Sequence, residues 1–136
     1  LEVTESALIR PPAEAVATLA KLRESGVRLA VDDYGTGQST LSYLKHLPVH
    51  GLKIDKCFVT TLTTSENDAI MVRSTINLAH DLGLQVVAEG IEDSATLDKL
   101  RDLQCDYAQG YFISKPVGPD EFFALATSRD EGRRIA

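Results

Sequence analysis

Tryptophan is absent from the 136 residues, methionine occurs once and cysteine twice. Cys57 and Cys105 lie far apart, with no CxxC or other zinc-ligand spacing, so a disulfide framework and a thiolate metal site are both excluded. Two reduced cysteines near a core are expected instead. His46, His50 and His80 form no ligand set either, because Pro48 breaks the helix that the i,i+4 spacing of the first two would need. No run approaches the roughly 20 apolar residues that cross a bilayer, and no basic segment precedes a short apolar one as in a secretion signal. A cytoplasmic setting without a membrane segment is therefore expected. Positive charge is also short: 14 Lys plus Arg against 20 Asp plus Glu give a net charge of -6, which argues against binding to DNA or an anionic membrane surface. An anionic ligand would need a metal ion or a local basic group.

What the chain does have is enough apolar residue, 43%, beside 25% charged residue, for one globular domain. Short strand-like runs alternate with helical ones, the pattern of a parallel α/β architecture. Strands are expected at 1–4, 28–31, 52–54 and 85–88, with a fifth inside 107–113. Pro11 and Pro12 open a helix whose Ala15, Leu19 and Leu22 share a face, and Gly26 ends it. Ser65 and Asp68 form a capping-box pattern ahead of Ala69, Val72, Ile76 and Ala79, with Gly83 as the stop. Ser94 begins a helix with Leu97, Leu100 and Leu103 as its buried stripe. Pro119 stands in the first turn of a last helix whose Phe122, Phe123 and Leu125 are expected in the core. The domain is expected to span 1–128, with 129–136 a loosely ordered tail. A start at Leu1, directly in an apolar run, reads as an excerpt of something larger.

Five βα units fit an open doubly wound sheet or a large part of a (β/α)8 barrel, and periodicity does not separate the two. A complete barrel takes about 250 residues, so this chain would hold only its later portion.

In both folds ligands bind at the carboxyl ends of the strands. Glu2 and Glu5 are expected there from the first strand, Asp32 and Asp33 from the second, and Lys53 and Asp55 from the third. Glu89 and Glu92 follow from the fourth and Gln109 from the fifth. Asp32 and Asp33 are the sharpest feature, because adjacent carboxylates at the mouth of a buried sheet repel one another unless cations intervene. Oxygen donors without Cys or His suit Mg²⁺ or Mn²⁺. With Asp32 bridging two ions and Asp33 binding one, the geometry of a two-metal hydrolase acting on a phosphate would follow. Gly35 and Gly37 make a turn ahead of a short helix near Ser39. Thr40 stands where a GxGxxG motif needs its third glycine, so a loop over a metal site fits better than a nucleotide-binding loop, with Glu5 accepting its backbone amides. Lys53, inside an apolar strand, is expected to reach the acidic rim and hold a water or offset phosphoryl charge. Glu89 is a further candidate ligand for metal or water, and Asp55 is expected on the substrate side.

LEVTES, DDYGTG, LKIDKCFV, VVAEGIED and AQGYFISKP, in this order and spacing, closely resemble the EAL-domain family from Leu1 to about Leu125. The resemblance implies a partial (β/α)8 TIM-type barrel with about the last five βα units. It implies a phosphodiesterase that hydrolyses cyclic di-GMP to pGpG with Mg²⁺ or Mn²⁺. It also implies Glu2, Asp32 and Asp33 as metal ligands and Glu89 as a ligand directly or through water. Lys53 would orient the attacking water, Glu5 would brace the glycine loop, and Glu92 and Gln109 would lie near the guanine or outer waters. The Glu-Ala-Leu signature and a later Asn ligand of the family lie upstream of Leu1, and Tyr34 and Gln38 replace the Phe and Tyr of many relatives.

Two readings follow. One is part of a competent phosphodiesterase, inactive as these 136 residues alone, in a polypeptide with a fused sensory or GGDEF domain. The other is a non-catalytic cyclic di-GMP sensing or dimerisation module with an incomplete metal site. Exposed sheet edges are expected to make the chain a homodimer or to drive association.

Overall fold

The computed structural model describes residues 1–8, 13–36 and 44–128. Strands β1 (Glu2–Thr4), β2 (Ala30–Tyr34), β3 (Gly51–Ile54), β4 (Gln85–Glu89) and β5 (Tyr107–Gln109) form one parallel sheet in the order β1-β2-β3-β4-β5. A doubly wound sheet reverses its strand order at a switch point. Here strand order follows chain order throughout, so the sheet is a segment of a TIM-type barrel.

Alternation along the strands assigns the two faces. Val31, Leu52, Ile54, Val86 and Ala88 point to one side, and each is at most 2% exposed. Glu2, Asp32, Lys53, Glu89 and Gln109 stand on the other, which the strand register keeps in phase. The helices α1 (Ala13–Glu24), α2 (Lys56–Val59), α3 (Glu66–Asp81), α4 (Ser94–Asp102) and α5 (Pro119–Ser128) follow in the connections. Of these, α3 packs against β3 and β4 and buries Val72, Ile76 and Ala79.

Local chemistry sets the helix starts. Ser65 caps α3 by accepting from Asp68 N at 3.3 Å. The reciprocal half of a capping box is replaced: Ser65 N donates to Thr61 O, and the Asp68 carboxylate accepts from Thr61 Oγ1 at 2.6 Å. Asp93, one residue before Ser94, caps α4 through Thr96 N at 2.7 Å.

Several expectations need correction. The second strand runs from Ala30 to Tyr34 rather than 28–31, which puts both aspartates inside it. Glu2 opens β1 instead of ending it, and Thr4, not Glu2, is the register partner of Asp32. Phe122 and Phe123 are 65% and 72% exposed, because no described element packs on that face of α5. Cys105 is buried but Cys57 is exposed, and both are free. Pro11, Pro12, the loop from Gly37 through the helix expected near Ser39, and the tail at 129–136 lie outside the described residues.

Candidate active site

Leu52 and Ile54, both buried on the helix side, fix the β3 backbone and turn the side chain of Lys53 onto the open face. Its ammonium lies 2.9 Å from Glu2 Oε2, 3.1 Å from Asp32 Oδ1 and 2.5 Å from Glu89 Oε1, with the side chain 8% exposed. Burial alone would lower the lysine pKa, but the close contacts with Glu89, Glu2 and Asp32 outweigh it and hold the group well above its ordinary value. Lys53 is thus a permanent cation and a hydrogen-bond donor. It is not a base.

The two aspartates are presented by an irregularity in the sheet. Val31 pairs with Leu52, but Tyr34 rather than Asp33 pairs with Ile54, so one extra residue is accommodated in β2. Asp33 takes up the distortion with φ 55, a left-handed conformation that Asp tolerates better than most residues. Tyr34 thereby rejoins the core side, and both neighbouring carboxylates stay off it.

Asp55 follows β3 and caps α2, its Oδ1 accepting from Cys57 N at 2.8 Å. Hydrogen bonds from the Cys57 side chain and backbone lower its pKa, and one shared with Asp33 adds to this. Asp33 moves upward, first through desolvation and then through the charges of Asp32 and Asp55. Asp55, expected toward the substrate, is grouped by the geometry with the aspartates.

Glu5 follows β1 in a 3-10 turn (Glu5–Leu8), is 2% exposed, and accepts from Gly35 N at 2.9 Å. It thus ties the segment after β2 to the end of β1. Gln109 ends β5 opposite Glu89, while Glu92 stands exposed beyond β4. The expected residues therefore fall into the Lys53 cluster with Glu2, Asp32 and Glu89, the Asp33–Asp55 pair, Glu5 at Gly35, Gln109 opposite Glu89, and Glu92 exposed beyond β4. Sequence reasoning did not group Asp55 with Asp33. Their signal was two acids ending adjacent strands.

The donor set suits a hard divalent cation. Three carboxylates surround one ammonium, leaving an excess of negative charge. Asp32 Oδ1 is buried without a hydrogen-bond partner, because its 3.1 Å approach to Lys53 lacks hydrogen-bond geometry. Asp33 is crowded by the charges of Asp32 and Asp55, which a cation would offset. Among the described residues no three acids converge on one point closely enough to hold an ion by themselves. Lys53 stands between them.

Fold and site define the class as a TIM-type α/β domain with its polar groups gathered on the open face and carboxyl rim. The EAL domain profile matches residues 1–116, and the chain belongs to the EAL-domain family. It is 43% identical over 117 residues to the cyclic di-GMP phosphodiesterase NbdA of Pseudomonas aeruginosa, covering 86% of this chain and 15% of that protein. The EAL domain of Mycobacterium smegmatis DcpA superposes with a TM-score of 0.87 at 44% identity, covering 95% of this chain and 58% of that one. BlrP1 of Klebsiella pneumoniae, solved as a complex with manganese and cyclic di-GMP, gives 0.77 at 34% identity, covering 85% and 29%. The chain spans 15 to 21% of the length of the curated relatives it matches. No described helix is long and apolar enough to cross a membrane.

Proposed function

We propose that this chain supplies the acid-bearing part of a divalent-cation-dependent phosphodiesterase that hydrolyses cyclic di-GMP to pGpG. The observation that carries the reading is the Lys53 ammonium held among Glu2, Asp32 and Glu89, with Asp32 Oδ1 buried and unsatisfied. Asp32, Asp33, Glu2 and Glu89 would hold Mg²⁺ or Mn²⁺, and Asp55 reaches the same place through Asp33. When bound, the cations neutralise phosphate charge and make water more acidic.

The chain's own groups do the rest. Lys53, whose ammonium form is favoured by the surrounding carboxylates, donates to the attacking water and fixes its approach to phosphorus. The water oxygen bonds to phosphorus, one P–O3′ bond breaks, and the water's proton ends on the leaving 3′ oxygen. Glu5 keeps the segment at Gly35 in place, while Glu92 and Gln109 face the guanine side. With the Lys53 ammonium standing between Glu2, Asp32 and Glu89, the isolated 136 residues bind cation weakly and turn nothing over. Among the described residues β1 and β5 form the edges of the sheet, which supports association between copies, as sedimentation would report.

The test is a segment exchange in which this chain replaces its counterpart in NbdA. The chimera should release pGpG only with divalent cation. Lys53→Ala should silence turnover while leaving cation binding largely intact, and Asp32→Ala should remove both. A chimera that folds and binds cyclic di-GMP but releases no pGpG would overturn the reading in favour of a sensing module.

A further inference from the structure

The segments after β4 and β5 meet in a crossing that none of the roles above requires. Ile91 N donates to Gln109 O at 3.1 Å, and Phe112 N donates back to Ile91 O at 3.0 Å. The turn continues with Ile113 N and Ser114 N both donating to Gly110 O. Ile91 is fully buried. These reciprocal bonds carry the β4–β5 pairing past its last register pair, Glu89 with Gln109.

Glycine is required at two points for this to form. A Cβ at Gly110 would lie 2.1 Å from Ile91 O and 2.2 Å from Ile91 N, against backbone that cannot swing aside. Gly90 has φ +76, and a Cβ there would meet Lys56 Cβ at 2.5 Å. The crossing is therefore clamped from the α2 side as well.

Glu89 touches Lys53 and is the register partner of Gln109, while Glu92 and Tyr111 follow Ile91 and Gly110 directly in the two crossing segments. We infer that the Ile91–Gly110 crossing is a positioning device: it locks the base-facing groups of the rim at a fixed span from the cation-facing groups, and Gly110 is its positioning residue. The inference rests on the cyclic di-GMP reading. Ring closure restricts the span between base and phosphate in a cyclic dinucleotide, and a rim held to match loses little freedom on binding.

The test has two parts, the first on the chain itself and the second on the NbdA chimera that carries it. Amide exchange comes first: the Ile91 and Phe112 amides should exchange as slowly as those of Ala88 and Ala108, and exchange at the rate of an exposed loop would overturn the proposal. Titration with Mn²⁺, and then with cyclic di-GMP at saturating Mn²⁺, comes second. Gly110→Ala and Ile91→Pro, which deletes the donated N–H, should each weaken dinucleotide binding about tenfold or more while the Mn²⁺ affinity stays within about twofold. Ile91→Val, which keeps the backbone bonds, should leave both affinities near those of the unaltered chimera. Equal dinucleotide affinity in folded Gly110→Ala and unaltered chimera would sink the positioning role alone. An unaltered chimera that takes up Mn²⁺ but no cyclic di-GMP would sink the parent reading, and the inference with it.

Discussion

The two faces of the sheet are separated by one layer of backbone and follow opposite rules. On the helix side, Val31, Leu52, Ile54, Val86 and Ala88 are buried and carry no polar atom that needs a partner. On the open side, one residue further along the same strands, Lys53 gathers three carboxylates, and Asp32 keeps a buried oxygen without a hydrogen bond. Stability is stored on the first face. The second keeps unspent electrostatic free energy that a cation and a phosphate can satisfy.

Breaking the first face should give the largest effect. Leu52→Ala empties a fully buried site and should cost about 3 kcal/mol, read as a lower midpoint in urea unfolding with an unchanged slope. Glu2→Gln, on the open face with its side chain 52% exposed, should shift that midpoint little. Similar losses from both would erase the distinction between the faces.

Lys53→Ala sharpens the comparison next. It leaves three carboxylates facing one another without their ammonium, which should destabilise the metal-free chain by about 1–3 kcal/mol after allowance for the exposure of the acids. Mn²⁺ should restore much of the loss, as thermal unfolding with and without the ion would report. A loss that Mn²⁺ does not recover would mean that the acids are not its ligands.

Asp33→Asn should act in the opposite direction. A carboxyl whose pKa is raised on folding adds stability at low pH and loses it as the pH climbs through the raised value. Removing that charge should therefore raise the melting temperature of the metal-free chain at neutral pH and leave it unchanged under acid conditions. The same variant should weaken cation binding. Asn also suits φ 55, so no backbone penalty obscures the result.

The smallest effect concerns the thiols. Burial raises the Cys105 pKa to about 11, and partial desolvation with the Asp55 contact does the same for Cys57. Iodoacetamide at neutral pH should modify exposed Cys57 more slowly than free cysteine and leave Cys105 intact until unfolding. Rapid modification of Cys57 would mean that its contact with Asp55 is not maintained.

These contrasts also explain what could be read from the sequence. The five strands, the Ser65 cap and the buried stripe of α3 follow from hydrophobic period and capping chemistry, which are local properties. The end of β2 was misplaced because its apolar run stops at Val31, although the strand continues through residues that an open face does not require to be apolar. Glu2 was set at the wrong end of β1, since reach across a face depends on register. The Asp33–Asp55 pairing, the crossing at Ile91, and the exposure of Phe122 and Phe123 depend on contacts between distant elements, to which periodicity is blind.

The account turns on whether the acids around Lys53 and at Asp33 form one cation site. Titrating the chain with Mn²⁺ while following amide and side-chain resonances tests this most directly. Paramagnetic broadening confined to the surroundings of Glu2, Asp32, Asp33, Asp55 and Glu89, and lost in Asp32→Asn, is the predicted result. Broadening spread over the acidic surface, or unchanged in that variant, would contradict it.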